Sequence, residues 1–344
     1  MRKILVITLF ILLGLNLQAQ IKTAVYWTAA TITENMVDIL AKDSLLIIDI
    51  ENFNNNLRNI EKIKKLNPQV RILLYINPME MWDKKVAGRD LNNKLQAETP
   101  HQFILKKTDG SPVVFWKNMH MMNISMHCPK FKDQKYIDFY VEWLNKELAQ
   151  IPKINSVING YFIDNGTTTI SWISDKIDAD NDGKADLSNA LDISWRSGMI
   201  EFINLLEKDK PKDFIIVTNK AEKSLFFKND GVMFEKFPND YLGDTIAKGW
   251  YRCMDLAEKA GEFTIFHGDP QNIEFVIASS LLLDNVYVCM GQNRSIPREY
   301  LLNVGEPLGK YYEKDELQYR DYENCRIEVN PKKQTAKFIK TDKD

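Results

Sequence analysis

The chain has 344 residues, of which 44% are hydrophobic and 27% are charged, with 15 glycines and 12 prolines. These proportions are those of a globular protein and exclude collagen-like, low-complexity and wholly disordered chains. The formal net charge of −2 excludes a strongly basic nucleic-acid-binding protein and a polybasic membrane-binding surface.

The N-terminal segment has the pattern of a secretory signal peptide. Arg2 and Lys3 precede the apolar residues 4–17, and Ala19 is a small residue suited to a cleavage site. The apolar run of about 14 residues is short for a transmembrane helix, which needs roughly 20. We predict that residues 1–19 are removed, that no membrane span remains, and that the mature protein is secreted or periplasmic. An uncleaved N-terminal anchor is the alternative.

Beyond Gln20, short apolar runs rich in β-branched residues alternate with longer amphipathic stretches. The predicted strands are Thr23–Trp27, Leu45–Glu51, Arg71–Asn77, Gly160–Asp164, Phe214–Asn219, Val232–Phe237, Phe263–His267 and Val286–Met290. The predicted helices cover residues 33–42, 56–66, 133–149, 188–208, 245–260 and 271–283. Such alternation indicates an α/β protein with parallel strands, and eight repeats favour a closed (β/α)8 TIM barrel.

Two stretches depart from this alternation. Residues 78–132 form a long insertion after the third strand, and in a barrel such a connection lies at the C-terminal face, where active sites are built. Residues 305–344 contain short predicted strands at Tyr319–Tyr322, Arg326–Asn330 and Thr335–Ile339. We therefore predict a barrel over residues 20–304 and a C-terminal β extension packed on it.

Polar residues recur where the predicted strands end. Because parallel strands end on one face of a barrel, these side chains should line a common cup. The candidate substrate-binding residues are Trp27, Asp49, Glu51, Tyr75, Asn77, Trp116, Asn219, Lys236, His267 and Gln292. Amides and carboxylates bind hydroxyl groups, and aromatic faces stack on the apolar side of a sugar ring. The predicted ligand is therefore a poly- or oligosaccharide.

Asp164 and Glu235, at the ends of the fourth and sixth predicted strands, are the candidate catalytic pair. Hydrolysis of a glycosidic bond needs one protonated carboxyl group and one ionised carboxylate, and it requires no cofactor. Each residue alone also has a structural interpretation, as a helix cap for Asp164 and as an ion-pair partner for Glu235. Glu51 or Asp49 is the next candidate if Asp164 does not face the cup.

Two other functions remain open at this point. A non-catalytic carbohydrate-binding barrel would have the same cup without the chemistry. A metal-dependent hydrolase is disfavoured, because no HxH or His/Asp ligand run marks the strand ends. No dinucleotide or P-loop motif is present either.

Three segments resemble a known family. Residues 160–166 (GYFIDNG), 231–237 (GVMFEKF) and 319–331 (YRDYENCRIEVNP) are similar to glycosyl-hydrolase-like family 15, a relative of the endo-polygalactosaminidase and α-galactosidase superfamily. The resemblance covers most of the mature chain. It implies a TIM barrel with a catalytic Asp after the fourth strand and a second acid after the sixth, which by position are Asp164 and Glu235. In the galactosidase relatives the second acid is commonly Asp, so Glu235 departs from that pattern.

An acidic loop follows the fourth strand. Asp178, Asp180, Asp182 and Asp186 surround Gly183 with the alternate spacing of Ca²⁺-binding loops. The match to an EF-hand is partial, because Asn stands where the twelfth loop position would be Glu. We predict a structural Ca²⁺ bound by these four carboxylates. The alternative is a solvated acidic turn that caps the following helix.

Overall fold

The computed structural model describes residues 21–208, 210–211, 213–220, 228–238 and 246–341. The predicted signal peptide, residues 1–19, lies outside the described residues.

Eight parallel strands close into a barrel, as predicted. They are β1 (Thr23–Trp27), β2 (Leu45–Asp49), β3 (Arg71–Ile76), β4 (Gly160–Ile163), β5 (Ile215–Asn219), β6 (Gly231–Glu235), β7 (Thr264–Gly268) and β8 (Val286–Gln292). Each strand pairs with its neighbours in chain order, and β8 pairs with β1 to close the sheet. The fold is therefore a (β/α)8 TIM barrel.

Helices cover the outside of the barrel. They are α1 (Val37–Leu40), α2 (Glu51–Asn55), α3 (Leu57–Leu66), α4 (Asp90–Glu98), α5 (Tyr136–Ala149), α6 (Ile154–Val157), α7 (Ser188–Glu207), α8 (Ile246–Ala257) and α9 (Ile273–Leu281). The second strand ends earlier than predicted, at Asp49, because the Asp49 carboxylate accepts a hydrogen bond from the Glu51 backbone N–H at 3.0 Å. This turn out of the strand starts α2.

Side-chain alternation along the strands sorts residues between two cores. In β2, Leu45 and Ile47 pack inside the barrel, whereas Leu46 and Ile48 pack against the surrounding helices. Since successive side chains of a strand point to opposite faces, the polar residue that ends a strand points inward when the residue two before it does. We call this direction, into or out of the barrel, the parity of a residue. It decides which strand-end residues reach the mouth of the barrel.

The insertion after β3 folds over the C-terminal face. Within it, Glu80–Trp82 pairs with Met119–Met121, and its Lys106–Lys107 pairs with Ile177–Asp178 from the segment after β4. The insertion also packs closely on α7, where a Cβ added to Gly198 would lie 1.8 Å from the carbonyl oxygen of Ile124. These contacts make it part of the wall around the mouth.

The C-terminal extension is a four-stranded antiparallel sheet that packs against α9. Its strands are β9 (Tyr312–Lys314), β10 (Leu317–Asp321), β11 (Cys325–Asn330) and β12 (Thr335–Lys340). The Tyr322 hydroxyl donates to the Leu281 carbonyl at 2.5 Å, and Arg320 donates to the same carbonyl at 3.2 Å. The extension thus lies on the side of the barrel.

All four cysteines, Cys128, Cys253, Cys289 and Cys325, are buried free thiols. Among the described residues, no helix is both long and apolar enough to cross a bilayer.

Candidate active site

A cavity of about 1050 Å³ opens at the C-terminal ends of the barrel strands. Many of the predicted site residues line it: Asp49, Tyr75, Asn77, Trp116, Asp164, Asn219, Glu235, Lys236 and Gln292. This volume is slightly above the roughly 300–1,000 Å³ typical of ligand pockets. The cavity therefore has room for a ligand larger than a single small group.

Asp164 lies on the cavity floor and accepts hydrogen bonds on both oxygens. Oδ2 accepts from the Tyr75 hydroxyl at 2.6 Å, and the Tyr26 hydroxyl lies 3.5 Å from it. Oδ1 accepts from the Asn219 side-chain amide at 2.7 Å and from the Asn165 backbone N–H at 2.8 Å. An ionised carboxylate only accepts hydrogen bonds, so a ring of donors suits its charged form.

Asn219 joins Asp164 to Glu235. Its Nδ2 donates to Oδ1 of Asp164 at 2.7 Å and to Oε2 of Glu235 at 3.2 Å. Both carboxylates share the inward parity of the residues two before them, Phe162 and Met233, which pack inside the barrel. The structure thus brings together the two acids that the sequence singled out, with one amide between them.

Burial also raises the pKa of two tyrosines on this floor. The pKa of Tyr75 and of Tyr26 lies well above the usual value, first because of burial and then because of the negative charge of Asp164. Both phenols are therefore neutral donors at physiological pH. Tyr26 was not singled out from the sequence, although its parity in β1 places it inside the barrel.

Three predicted site residues do not line the cavity. Trp27 has outward parity in β1, and its indole N–H donates to the Thr31 carbonyl at 3.1 Å. The Glu51 carboxylate is fully buried and accepts from the backbone N–H groups of Leu91 and Asn92 at 3.1 and 2.8 Å, so it caps α4.

His267 is the third of these residues. It is buried, and its ring meets the Tyr26 ring edge-on with centroids 5.9 Å apart. Burial lowers the pKa of His267, so the imidazole is neutral near pH 7. His267 is not among the residues that line the cavity.

Glu80 is a third acid in the cavity wall that the sequence analysis did not identify. Its Oε2 accepts from the side-chain amides of Asn165 at 2.7 Å and Asn77 at 3.3 Å, and its Oε1 accepts from the Trp116 backbone N–H at 3.2 Å. Burial raises the pKa of Glu80 to about 7, and the charge of Asp164 adds to this, against the hydrogen bonds that lower it. The only sequence signal was its position three residues beyond Asn77, within the insertion.

Asp49 lines the cavity but is already paired. Its Oδ2 accepts from Nη1 of Arg89 at 2.7 Å, and Nη2 of the same guanidinium donates to the Thr28 carbonyl at 2.9 Å. Arg89 belongs to the insertion, so this ion pair ties the insertion to β2. Asp49 therefore holds the wall in place, and the sequence offered no sign of its partner.

Three carboxylates of the acidic loop lie close enough together that they could hold a metal ion. One carboxylate oxygen from each of Asp178, Asp180 and Asp182 lies within 4.8 Å of the others. Asp186 is not part of this cluster, and its Oδ2 accepts from the Ala179 backbone N–H at 2.7 Å. Three of the four predicted ligands thus converge.

Comparison with known proteins identifies the family. The model of a family described as hypothetical glycosyl hydrolase family 15 matches residues 64–326. The chain belongs to this family. The matched range includes Asp164, Glu235 and the insertion, and no curated protein matches the chain in sequence.

Solved structures of low sequence identity are similar to parts of this chain. A GH31 dextranase of Flavobacterium johnsoniae is 12% identical with a TM-score of 0.51, over 81% of this chain and 37% of the dextranase. An α-N-acetylgalactosaminidase of Bifidobacterium bifidum is 9% identical with a TM-score of 0.47, over 92% of this chain and 56% of that enzyme. A GH31 α-xylosidase of Xanthomonas citri is 8% identical with a TM-score of 0.47, over 82% of this chain and 32% of that enzyme. The chain thus spans little more than a third of the dextranase, and that match shows the fold alone.

Proposed function

We propose that the protein is an exported glycoside hydrolase that cleaves a poly- or oligosaccharide with Asp164 and Glu235. The observation that carries the proposal is the Asn219 amide shared by two carboxylates on the floor of an open cavity. Two carboxyl groups flanking one bond are what glycosidic hydrolysis requires. Membership of a glycosyl-hydrolase-like family supports the same chemistry.

Asp164 has the role of nucleophile in this proposal. The donors around both of its oxygens stabilise negative charge and hold the carboxylate in a single orientation. Glu235 receives only the longer bond from Asn219 at 3.2 Å among the side-chain contacts described. Glu235 has the role of general acid and base in this proposal.

The spacing of the pair favours retention of anomeric configuration. Oδ1 of Asp164 and Oε2 of Glu235 lie 2.7 and 3.2 Å from the same nitrogen, so they cannot be further apart than the sum of those distances. That limit applies to the two oxygens that share the amide, and it lies nearer to the roughly 5–5.5 Å between the carboxyl groups of retaining enzymes than to the roughly 6.5–9.5 Å of inverting ones.

Two steps then complete the reaction. Glu235 first protonates the glycosidic oxygen while Asp164 attacks the anomeric carbon, so the leaving sugar departs with the proton and the remaining glycosyl group is bonded to Asp164. Glu235 next removes a proton from water, whose oxygen attacks the same carbon and frees Asp164. Lys236, Asn77 and Gln292, which line the cavity, bind hydroxyl groups of the substrate.

The test is hydrolysis of a glycan panel by the wild type and by Asp164→Asn and Glu235→Gln. We expect each substitution to lower kcat by about 10²–10⁴-fold, measured as release of reducing ends. Glu262→Gln is the matched control, because Glu262 is exposed just before β7, at the opposite end of the barrel. Full activity in both cavity variants would contradict the mechanism.

The same experiment separates catalysis from binding alone. A wild type that binds a glycan but releases no reducing ends would favour the non-catalytic carbohydrate-binding barrel. Proton NMR of the first product distinguishes the stereochemical outcomes, and an inverted anomer would overturn the nucleophile role of Asp164.

We further propose that the mature protein acts outside the cytoplasm after removal of residues 1–19. The support is the pattern of two basic residues, an apolar run and Ala19. The N-terminus of the protein from the periplasmic or culture fraction, read by mass spectrometry, tests this. A retained Met1 in that fraction would contradict cleavage.

A structural Ca²⁺ in the acidic loop is also proposed, held by Asp178, Asp180 and Asp182. Hard cations take oxygen ligands, and three converging carboxylates supply them. The chemistry at Asp164 and Glu235 needs no metal.

A further inference from the structure

Three large aromatic side chains are exposed together at the mouth of the cavity. Phe115, Trp116 and Trp172 are 41%, 57% and 56% exposed, and all three line the cavity. Leaving this much aromatic surface in water is unfavourable, and an apolar patch rimmed by polar groups is characteristic of a binding site. Only Trp116 among them was a predicted site residue.

The three rings form one ordered cluster. The Phe115 ring meets Trp116 at 66° and Trp172 at 88°, with centroids 5.3 Å apart in both pairs. Phe115 therefore contacts both indoles. Residues 115–116 come from the insertion after β3 and Trp172 comes from the segment after β4, so two parts of the chain build the cluster.

Polar contacts hold both segments in place. The Trp172 indole N–H donates to the Thr169 carbonyl at 3.0 Å, and the Asp192 carboxylate on α7 accepts from the backbone N–H groups of Ile170 and Ser171 at 2.8 and 3.0 Å. The Trp116 backbone N–H donates to Glu80 at 3.2 Å. A surface fixed in this way loses little conformational entropy when a ligand binds.

We propose that Phe115, Trp116 and Trp172 form a second sugar-binding subsite, which holds a pyranose unit of an oligosaccharide next to the unit at Asp164. This inference rests on the proposed glycoside hydrolase function and narrows its substrate to chains of at least two sugars. We call these three residues the aromatic rim.

The occupant is a sugar rather than a protein or lipid because the rim is continuous with the polar cavity. The same cavity is lined by Asp164, Glu235 and Lys236, which suit hydroxyl-bearing groups and not an acyl chain. The apolar face of a pyranose packs on an indole ring, and its hydroxyls point outward to polar neighbours. The cavity volume of about 1050 Å³ also leaves room beyond the first sugar.

The binding test is affinity electrophoresis in gels that contain dextran, amylose, galactan, xylan or polygalactosamine. Asp164→Asn serves as the background, so that hydrolysis does not consume the glycan. We expect at least one glycan to retard the protein, and we expect Trp172→Ala or Trp116→Ala to weaken that binding roughly tenfold or more. Trp172→Phe keeps a flat face and should retain most of the retardation.

Tyr312→Ala is the matched control, because Tyr312 is 40% exposed on the C-terminal sheet. It should bind as the parent does. Circular dichroism and thermal unfolding of each variant exclude a folding defect as the cause of lost binding. Absence of retardation by every glycan, or equal retardation of the parent and Trp172→Ala, would overturn the subsite.

Kinetics separate this inference from the proposed function. In the otherwise wild-type protein, Trp172→Ala should lower kcat/KM for an oligosaccharide about tenfold and leave hydrolysis of a glycosyl fluoride, which places no second ring at the rim, within about twofold. If Trp172→Ala lowers kcat/KM equally for both substrates, the proposed subsite is wrong and the proposed hydrolase function stands. Binding that depends on the rim without any cleavage would overturn the hydrolase and leave the rim as a binding site.

Discussion

At the scale of single residues, Asn219 links the two acids of the candidate catalytic pair. One nitrogen donates to both Asp164 and Glu235, and Asp164 also accepts from the Tyr75 hydroxyl and the Asn165 backbone N–H. The amide sits at the end of β5, between the strands that carry the two acids. This arrangement explains why an amide, which has two N–H donors on one nitrogen, suits the position.

Glu80 makes the stability of the protein depend on pH. Burial raises the pKa of Glu80 from 4.5 to about 7 in the folded protein. Between these values the folded protein binds a proton that the unfolded chain has released. The contribution of Glu80 to the free energy of unfolding is thus fully present below about pH 4.5, and it is lost as pH rises through about 7.

Glu80→Gln tests this dependence, because Gln has a similar shape and does not ionise. Between about pH 5 and 8 we expect the free energy of unfolding of the wild type to fall more steeply than that of the variant, by up to about 3 kcal/mol. Urea titrations at several pH values measure it, with Glu262→Gln as an exposed control. Parallel pH curves for the wild type and Glu80→Gln would rule the effect out.

The strands were the most predictable elements. Their apolar, β-branched runs carry the signal locally, and all eight predicted strands are present in the barrel. Short helices such as α2 and α4 were not predicted, and α4 depends on capping by a side chain that is distant in sequence. Glu51, for example, caps α4 from 40 residues away.

The acidic loop offers a prediction at the scale of an element. If Asp178, Asp180 and Asp182 hold Ca²⁺, a hundredfold excess over Kd should stabilise the folded state by ~2.7 kcal/mol and raise Tm by a few degrees. The variant Asp180→Asn should lose most of this rise. Differential scanning calorimetry with Ca²⁺, with a chelator and with Mg²⁺ measures it.

Asp175→Asn is the matched control for the loop. Asp175 is exposed just before the loop and lies outside the carboxylate cluster, so its removal changes the local charge without removing a proposed ligand. A Tm that does not respond to Ca²⁺ in the wild type, or an equal response in Asp180→Asn, would contradict the proposed site.

At the scale of the whole molecule, Arg320 joins the C-terminal sheet to the barrel. Only 4% of Arg320 is exposed, and its guanidinium donates to the Leu281 and Gly309 carbonyls and pairs with Asp284. Removal of this buried guanidinium would leave the carbonyl acceptors without donors. The resulting loss of folding free energy is larger than that from loss of an exposed ion pair.

We expect Arg320→Ala to lower the free energy of unfolding by about 2–4 kcal/mol within a single cooperative transition. Arg326→Ala is the matched control, because Arg326 on the neighbouring strand forms an exposed pair with Asp321 at 2.6 Å; it should cost under about 1 kcal/mol. Urea unfolding followed by fluorescence measures both. A separate early transition in Arg320→Ala would instead identify the extension as an independent unit.

The sequence alone was sufficient for the barrel, the C-terminal extension and the inward-facing acids at the ends of β4 and β6. These features follow from periodicity within one strand and from the rule that parallel strands end on one face. The alternation of side chains along β1 would also have shown that Trp27 points away from the cavity.

Only the tertiary structure decided which loop residues join these acids. Glu80 meets Asn165 across 85 residues of sequence, and Phe115 meets Trp172 from a different segment. Such contacts depend on how two long connections pack on each other, and no local pattern encodes that packing. The carboxylates and the amide on the cavity floor, together with Trp116, were therefore predictable from the sequence, whereas the contacts that build the wall and the aromatic rim were not.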